Sequence, residues 1–348
     1  MTVLVLGASG FLGSHVTRAL VQDGQDVRVL LRESSSTKGI DDLDVERHYG
    51  GLFDDDALRT AMTGCDVIYY CVVDARMWLR DPAPLFHTNV DGLRNVLDIA
   101  AEFSEPRPNV RTGEEVRVGD AISSNSGGPL RKFVFTSTIG TLGRSDTRLV
   151  TEEDPRNWTG GGPYIEARVA AEELVLSYAR EQGLPAVAMC VATTYGPRDW
   201  QPTPHGSMIE MVAKGKMPVS PDFSLEVVGI EDAARAMLLA AEHGRIGERY
   251  IVAERFMKVR DINAIAARAA GVSPPRINIP LPVMYGVSFL NDVASKLLRR
   301  DFPMARAGTR MSARMSALDH SKAERELGWK PQPIEDSLTR AVDFFLTH

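Results

Sequence analysis

The chain has 348 residues, of which 44% are hydrophobic and 25% are charged, a balance typical of a folded globular protein. Its formal net charge of −6 argues against nucleic-acid partners, which require a basic face. The three cysteines have neither metal-ligand nor redox spacing, so we expect buried thiols, a reducing compartment and no metal site.

No targeting or membrane signal stands out in the sequence. The first residues lead directly into a strand, without the basic region and cleavage site of a secretory signal. No apolar run reaches the roughly 18 residues that a membrane span requires. We therefore expect a cytoplasmic protein without a membrane span.

A strand, a glycine turn and a helix open the chain. Residues 2–6 form an apolar run typical of a buried strand, 7–13 form the turn, and 14–24 carry apolar residues at helical spacing. Residues 27–31 form a second strand. This βαβ unit predicts a parallel sheet.

The alternation of helices and strands continues to residue 191. Helices are predicted at 58–62, 85–103 and 165–181, and strands at 67–71, 132–137 and 186–191. We predict an α/β fold, a doubly wound parallel Rossmann sheet with a smaller C-terminal substrate lobe. The predicted sheet domain comprises residues 1–194 and about 225–253, and the lobe comprises 195–224 and 254–348.

Residues 104–129 interrupt this alternation. They are rich in Ser, Gly, Pro and charge, and a structureless loop of this length is unusual inside a compact domain. We therefore predict an exposed insertion, either a small hairpin at 110–118 or disordered.

Gly7, Gly10 and Gly13 form a G-x-x-G-x-x-G pattern between the first strand and the first helix. The first glycine permits the tight turn, the second lets the backbone approach a pyrophosphate, and the third lets helix and strand pack closely. The pyrophosphate is expected on the N-terminal amides of the helix. The predicted loop contacts of a dinucleotide are Gly7, Ser9, Gly10, Phe11, Leu12 and Gly13.

The residue after the second strand distinguishes between two dinucleotides. NAD sites usually carry an acid there, whereas this chain has Arg32. A guanidinium suits a 2′-phosphate, and Lys38 adds positive charge nearby in the sequence. We therefore predict NADP, with NAD less favoured. The alternative for Arg32 is a solvated charge at a strand end.

Tyr164 and Arg168 lie four residues apart on a predicted helix and therefore share one face. Thr138 follows the strand at 132–137. A tyrosine can pass a proton to a carbonyl oxygen, and a threonine hydroxyl can hold that oxygen. A cation can bind the nicotinamide ribose and lower the tyrosine pKa. These residues predict a carbonyl-reducing site. The alternative is that Tyr164 and Arg168 are ordinary surface side chains without a catalytic role.

These motifs resemble the extended short-chain dehydrogenases/reductases over nearly the whole chain. Within that superfamily the chain is most similar to the dihydroflavonol 4-reductase-like branch and to hopanoid-associated sugar epimerases. The segments that carry the resemblance are GASGFLG at 7–13, VLLR at 29–32, NVDGLRNV at 89–96, KFVFTSTIGTLG at 132–143, YGPRDWQPTPHG at 195–206, GRIGERYIV at 244–252 and KAERELGWKP at 322–331.

The resemblance implies a role for individual residues. It makes Thr138 and Tyr164 the catalytic hydroxyls, Asn89 the structural asparagine and Arg32 the 2′-phosphate ligand. Arg168 takes the place of the catalytic lysine. Further cofactor contacts are expected from Leu52, Val72, Val73, Val191, Thr193 and Thr194. The resemblance also suggests a homodimer formed through the helices at 85–103 and 165–181.

Three positions depart from the family pattern. Arg168 keeps the positive charge of the lysine but cannot act as a neutral amine. The fourth strand ends in the bulky run at 70–73, Tyr-Cys-Val-Val, where the family has His-x-Ala-Ala. Gly51 replaces the acid that usually lies near adenine. Reduced or absent turnover is therefore an open alternative.

The loop at 195–221 is expected to cover the nicotinamide. The candidate substrate-lining residues are Trp78, Trp200, His205 and Met208. Alternatively, His205 is a solvated histidine in the loop, and the two tryptophans close a hydrophobic seam between the lobes. The apolar and aromatic lining favours a hydrophobic ketone, aldehyde or alcohol as the small-molecule substrate.

Three functions follow from these residues. We predict an NADP(H)-dependent oxidoreductase that transfers a hydride between nicotinamide and a carbonyl or secondary alcohol, with Tyr164 as acid/base. The first alternative is a nucleotide-sugar epimerase or dehydratase with retained NAD(P). The second is a catalytically attenuated NAD(P)-binding protein, because Arg168 replaces the usual lysine.

Overall fold

A seven-stranded parallel sheet forms the centre of the molecule. The computed structural model describes residues 1–76, 79, 81–104, 129–298 and 315–348. The strands are β1 (Thr2–Leu6), β2 (Asp26–Leu31), β3 (Glu46–Tyr49), β4 (Val67–Tyr70), β5 (Lys132–Thr138), β6 (Ala186–Val191), β7 (Thr193–Tyr195), β8 (Val219–Pro221), β9 (Ser224–Gly229), β10 (Arg249–Val252), β11 (Arg255–Lys258) and β12 (Ile277–Ile279).

The helices flank this sheet and build the second lobe. They are α1 (Phe11–Gln22), α2 (Asp55–Met62), α3 (Ala83–Phe86), α4 (Gly92–Glu102), α5 (Gly162–Ser177), α6 (Pro204–Ala213), α7 (Ile230–His243), α8 (Val259–Ala269), α9 (Leu281–Leu298), α10 (Ser321–Leu327) and α11 (Ile334–Thr347). Among the described residues, no helix is long and apolar enough to cross a membrane.

The strand order is β10-β6-β5-β4-β1-β2-β3, and all neighbours in this sheet are parallel. The chain moves outward from β1 through β2 and β3 and then returns to β4 on the other side. The order therefore reverses between β1 and β4, and open α/β sheets bind ligands at the carboxyl ends of such a pair. The predicted doubly wound Rossmann fold is confirmed.

Both faces of the sheet are buried. Successive side chains of β1 point to opposite faces, so Val3 and Val5 belong to one core and Leu4 and Leu6 to the other. The first core lies under α1 and α7, and the second lies under α2, α4 and α5. Burial of each such side chain contributes roughly 1.5–3 kcal/mol.

The smaller lobe has a sheet of its own. Its strand order is β11-β9-β7, with a separate β12-β8 pair, and α6, α8 and α11 pack around a core that includes Tyr195 and Leu225. Residues at about 225–253 were predicted to belong to the sheet domain, which is wrong for β9 because it pairs with β7 and β11. β10 does join the main sheet, beside β6.

A second difference concerns the boundary of the C-terminal lobe. Helix α10 packs on α7 and β10, and Trp329 is 1% exposed in the core of the sheet domain. The Trp329 Nε1 donates to the Asp232 carbonyl at 2.9 Å. Residues 318–329 therefore complete the sheet domain, although we expected all of 254–348 in the lobe.

Two helices differ from their predicted bounds. α1 begins at Phe11, three residues before the predicted start, because the glycine turn is shorter than expected. The helix predicted at 85–103 is divided by a π-helical turn, His87–Asp91, into α3 and α4. The insertion predicted at 104–129 lies outside the described residues except for its two ends.

Glu226 is a buried carboxyl on β9 that holds the returning segment. Its Oε1 accepts the Leu318 amide at 2.7 Å, and the side chain is 2% exposed. Burial raises the pKa of Glu226 to about 7, from 4.5. The folded state therefore binds this proton more tightly than the unfolded state, so stability from this group falls as the pH rises from about 4.5 to about 7.

We expect Glu226→Gln to remove this pH dependence. At pH 8 the variant should exceed the wild type by about 3 kcal/mol in free energy of unfolding, with a much smaller difference at pH 5. Urea denaturation at both pH values measures the effect, and the exposed Glu181→Gln serves as control. An equal pH dependence in wild type and Glu226→Gln would contradict the assignment.

Candidate active site

The glycine turn between β1 and α1 lies at the point where the strand order reverses. Gly7 has φ +85°, and a Cβ added there would lie 2.8 Å from the Cys71 carbonyl carbon. A Cβ on Gly13 would lie 2.1 Å from the Gly7 oxygen, whereas one on Gly10 would lie 3.3 Å from the same atom. Gly7 and Gly13 are therefore required by the packing of the chain itself. Gly10 leaves exposed space at the start of α1.

The first turn of α1 offers unpaired amides. Its first helical hydrogen bond runs from Ser14 N to Gly10 O at 2.9 Å, and no side chain caps the helix. Within the described residues, the amides of 11–13 form no hydrogen bond, and the first turn carries no acid. These donors and the helix dipole suit a pyrophosphate. Ser9, Phe11 and Leu12 are half-buried around them.

Arg32 directly follows β2 and is exposed. Its amide donates to Ser35 Oγ at 3.2 Å, and its guanidinium has no partner among the described residues. The strand end therefore presents a free cation. Lys38 is also exposed, but its Nζ lies 5.7 Å from the centre of the Trp200 ring, so its charge is partly engaged by the indole.

The segment after β4 is fixed against the glycine turn. Asn89 lies buried in the π-helical turn, where Oδ1 accepts the Asp74 amide and Nδ2 donates to the Asp74 carbonyl, both at 2.9 Å. This pair holds the half-buried Val72 and Val73 beside Gly7. The structural role expected of Asn89 is present in the geometry.

Leu52 marks the side of the site where adenine is expected. Its side chain packs on α4, since a Cβ on Gly92 would lie 2.8 Å from Leu52 Cδ1. Its carbonyl accepts Asn95 Nδ2 at 2.9 Å. A Cβ on Gly51 would meet nothing within 4 Å, so this position leaves open space where the family has an acid.

Thr138 ends β5 with its hydroxyl half-exposed. Its Oγ1 accepts the Gly140 amide at 3.2 Å, which leaves the hydroxyl proton free to donate to a carbonyl oxygen. The first turn of α5 closes on this turn, since a Cβ on Gly140 would lie 2.6 Å from Ile165 Cδ1. Helix α5 therefore begins beside the end of β5, with Tyr164 in its first turns and Arg168 one turn further along.

The pKa of Tyr164 differs from the sequence-based expectation. Burial of the phenol raises this pKa above 10, and the positive charge of Arg168 only partly opposes the shift. Arg168 lowers the pKa as expected, but desolvation is the larger effect, so the net pKa lies above its ordinary value. Tyr164 is therefore a neutral proton donor at physiological pH.

Arg168 is 1% exposed, so it is not the surface charge of the alternative interpretation. Its Nη2 donates to the Thr136 carbonyl, and its Cζ lies 5.1 Å from the centre of the Phe135 ring. Its Nε and Nη1 are buried and have no hydrogen-bond partner in the part of the chain that the structure describes. Buried donors left in this state cost about 1–3 kcal/mol each. Ribose hydroxyls would satisfy them, so the residues present fit a nicotinamide dinucleotide.

The remaining predicted residues lie on the strands and loops after β5. Val191 is the last residue of β6 and is buried, while Thr193 and Thr194 are half-buried on β7. Trp200 packs edge-on against Phe344 and His348 of the C-terminal helix, at 4.9 and 5.0 Å between ring centres. These rings belong to the smaller lobe, whereas Lys38, which lies over the same indole, belongs to the sheet domain. Trp200 therefore lies at a seam between the lobes, as in the alternative.

The other substrate candidates that the structure describes contact residues of the smaller lobe. His205 lies 6.2 Å edge-on from Tyr195, and burial lowers its pKa to about 4, so the ring is neutral at physiological pH. Met208 packs against the core of the smaller lobe. Trp78 lies outside the described residues.

One set of polar residues near the site was not singled out in the sequence. Ser137, Thr141 and Glu172 form a buried hydrogen-bonded group directly beneath Thr138. The available signal was the spacing of Glu172, which follows Arg168 by four residues and so shares its helix face.

This fold and this site define an NAD(P)-dependent oxidoreductase of the extended short-chain dehydrogenase/reductase type. The chain belongs to the NAD dependent epimerase/dehydratase family, which it matches over residues 3–253. The family binds a nicotinamide cofactor, and the match ends just after β10, the edge strand of the main sheet.

Individual relatives cover the whole chain. A putative dihydroflavonol 4-reductase of Synechocystis sp. is 27% identical over 99% of this chain and 94% of its own length. Sterol demethylase protein B of Methylococcus capsulatus is 29% identical over 99% of this chain and 98% of its own length. The crystal structure of gox2253 superposes with a TM-score of 0.82 at 31% identity, covering 100% of this chain and 98% of its own.

Gly10→Ala should separate ligand binding from folding. Because the added Cβ meets only the Gly7 oxygen at 3.3 Å, we expect little change in thermal stability. The same Cβ obstructs the pyrophosphate, so the Kd for the dinucleotide should rise roughly 30-fold, or about 2 kcal/mol. Calorimetric titration with NADPH and NADH provides the measurement.

Gly13→Ala is the matched comparison. Its Cβ would collide with the Gly7 carbonyl at 2.1 Å, so we expect a marked loss of thermal stability from this variant. Wild-type dinucleotide affinity in Gly10→Ala would rule out the proposed cradle.

Proposed function

We propose that this protein is an NADP(H)-dependent oxidoreductase that transfers a hydride between nicotinamide and the carbonyl or secondary alcohol of a small apolar substrate. The observation that carries the proposal is the arrangement at the end of β5. There a threonine hydroxyl is free to donate, and α5 packs on the same turn. This helix carries a neutral tyrosine in its first turn and a buried guanidinium with two donors that have no partner among the described residues.

The proposed mechanism assigns one task to each side chain. When bound, the nicotinamide supplies or accepts the hydride. Thr138 donates its hydroxyl proton in a hydrogen bond to the substrate oxygen and holds it in place. Tyr164 gives its proton to that oxygen during reduction and takes it back during oxidation. Arg168 binds ribose hydroxyls through Nε and Nη1, which have no hydrogen-bond partner among the described residues.

A neutral Tyr164 is in the protonation state that the reductive reaction requires. The acid form is the one required to protonate a developing alkoxide, and burial keeps Tyr164 in that form. Arg168 then stabilises the phenolate that remains after proton transfer, since opposite charges favour the ionised form. The arginine therefore acts by its charge and hydrogen bonds, without giving up a proton.

The charges along the loop from β5 to α5 support an uncharged substrate. Arg156 Nη2 pairs with Glu166 at 2.7 Å, and Arg148 pairs with Asp154 in a bidentate contact. These guanidinium groups are therefore engaged and do not offer a free site for a diphosphate. Two relatives are named for a dihydroflavonol and a sterol, which are uncharged ring compounds.

The choice of NADP depends on Arg32. Its guanidinium lies exposed at the end of β2 without a partner among the described residues, where an acid would repel a phosphate. We expect Arg32→Ala to weaken NADPH binding by roughly 10- to 100-fold, or about 1.4–2.7 kcal/mol, and to leave NADH binding nearly unchanged.

Titration of both nucleotides against wild type and Arg32→Ala measures this preference. Lys38→Ala provides a comparison and should have a smaller effect, because its ammonium already lies over Trp200. Equal losses of NADPH and NADH affinity, or none, would contradict a 2′-phosphate contact.

The reaction itself is tested by oxidation of NADPH with a panel of apolar ketones and aldehydes. With any substrate that turns over, we expect Tyr164→Phe to lower kcat by about 10²- to 10⁴-fold while NADPH still binds. Tyr49→Phe, at an exposed tyrosine on β3, should retain activity. Unchanged kcat in Tyr164→Phe would exclude the proposed acid. Dinucleotide retained through purification, with no net NADPH oxidation, would favour an epimerase.

A further inference from the structure

We propose that Glu172 is a positioning residue for this reaction, which rests on the function proposed above. Its buried carboxylate ties the turn that carries Thr138 to the helix that carries Tyr164. It acts through other residues and does not touch the substrate.

The position of Glu172 on α5 is the first observation. It follows Arg168 by four residues and Tyr164 by eight, so all three side chains lie along one face of the helix. Glu172 is 5% exposed and lies against the main sheet. Its Oε2 accepts hydrogen bonds from Ser137 Oγ and from Thr141 Oγ1 at 2.9 Å.

These two donors enclose Thr138. Ser137 immediately precedes it on β5, and Thr141 ends the short helical turn that follows it. The Thr141 hydroxyl also lies 2.8 Å from the Thr138 carbonyl oxygen, so it contacts both the carboxylate and the backbone of the catalytic turn. One carboxylate therefore fixes the chain on both sides of the substrate-holding hydroxyl.

A cation compensates the buried charge. Arg249 on β10 donates from Nη1 to Glu172 Oε1 at 3.1 Å and from Nη2 to the Glu152 carbonyl. The Cys190 thiol on β6 lies 3.4 Å from Oε2. Donors from β5, β6 and β10 thus converge on a single side chain of α5.

Both hydroxyls of the catalytic turn donate to the same carboxylate, which argues that Glu172 positions the turn in addition to packing against it. A buried ion pair can often be exchanged for apolar residues of similar volume without loss of stability. Only a carboxylate or amide oxygen, however, can hold two hydroxyls from the catalytic turn at a fixed distance. Misplacement of a reacting group by about 1 Å can cost 10²-fold in rate.

The test uses two double variants that remove the charge pair together. Glu172→Met with Arg249→Met removes every acceptor. Glu172→Gln with Arg249→Met keeps one acceptor oxygen for Ser137 and Thr141. We expect the first to lower kcat roughly 10- to 100-fold with KM and NADPH Kd unchanged, and the second to recover most of the rate. Glu173→Gln, on the outer face of α5, is the control.

Thermal denaturation shows whether the double variants fold, and a single variant tests the positioning role if they do not. If the Met/Met protein does not fold, Thr141→Val removes one hydroxyl without changing any charge, and its kcat should fall about tenfold at nearly wild-type stability. Wild-type kcat in the variants that lack these bonds, or a loss confined to KM or Kd, would overturn the positioning role.

Hydrogen exchange gives a readout that does not require turnover. Without substrate, amides of residues 138–142 should exchange faster in the Met/Met variant, or in Thr141→Val, and those of 7–14 should not change. Unchanged exchange at 138–142 would overturn the inference. Faster exchange in a protein that reduces no substrate would support it while the proposed function fails.

Discussion

The main sheet and the first helix meet where no side chain can fit. Gly7 lies against the backbone that leaves β4, and Gly13 lies against the carbonyl of Gly7, so three segments are in contact through their main chains. This contact aims the first amides of α1 at the gap between β1 and β4. The remaining parts of the site are placed relative to it. Val72 and Val73 follow from β4, and Thr138 follows from β5, its neighbour in the sheet.

Two cations packed near β5 illustrate how the protein treats charge: Arg168 is buried, and Arg249 is half-buried on β10. Arg249 is compensated by the carboxylate of Glu172. Arg168 has no ion pair among the described residues and relies on one carbonyl and the face of Phe135. A buried charge with unpaired donors is costly, and such groups concentrate at ligand sites. The free energy that the fold gives up at Arg168 is recovered when a ligand supplies acceptors.

Sequence reasoning succeeded where local pattern determines structure. Residues 2–6 and 186–191 were predicted within their observed bounds, because buried central strands are continuous apolar runs. β3 (ERHY) carries no such pattern, since it is a half-exposed edge strand. β9 lies in the range assigned to the sheet domain but pairs within the smaller lobe, because pairing partners are set by tertiary contacts that the local sequence does not encode.

In the predicted site, too, features set by the local sequence were predicted and features set by tertiary contacts were not. Glycine spacing, the strand end at Arg32 and the four-residue spacing of Tyr164 and Arg168 are local features. Arg32, Tyr164 and Arg168 occupy the expected elements, whereas Gly13 lies in α1 and not in the turn. The pKa of Tyr164 and the contacts of Trp200 depend on residues distant in sequence. Desolvation around the phenol outweighs a neighbouring charge, and Phe344 approaches the indole from the C-terminal helix. Neither the desolvation of Tyr164 nor the contact of Phe344 with Trp200 produces a periodic pattern in the local sequence.

The return of residues 318–329 to the sheet domain has a consequence for synthesis of the protein. Leu318, Leu327 and Trp329 fill the same core as strands β1 and β2, although a ribosome produces them long after β10. A nascent chain that has completed every strand of the main sheet therefore still exposes the apolar surface of α7 and β10. The order of translation and the order of burial differ, and the sheet domain reaches its final packing only after most of the smaller lobe has emerged.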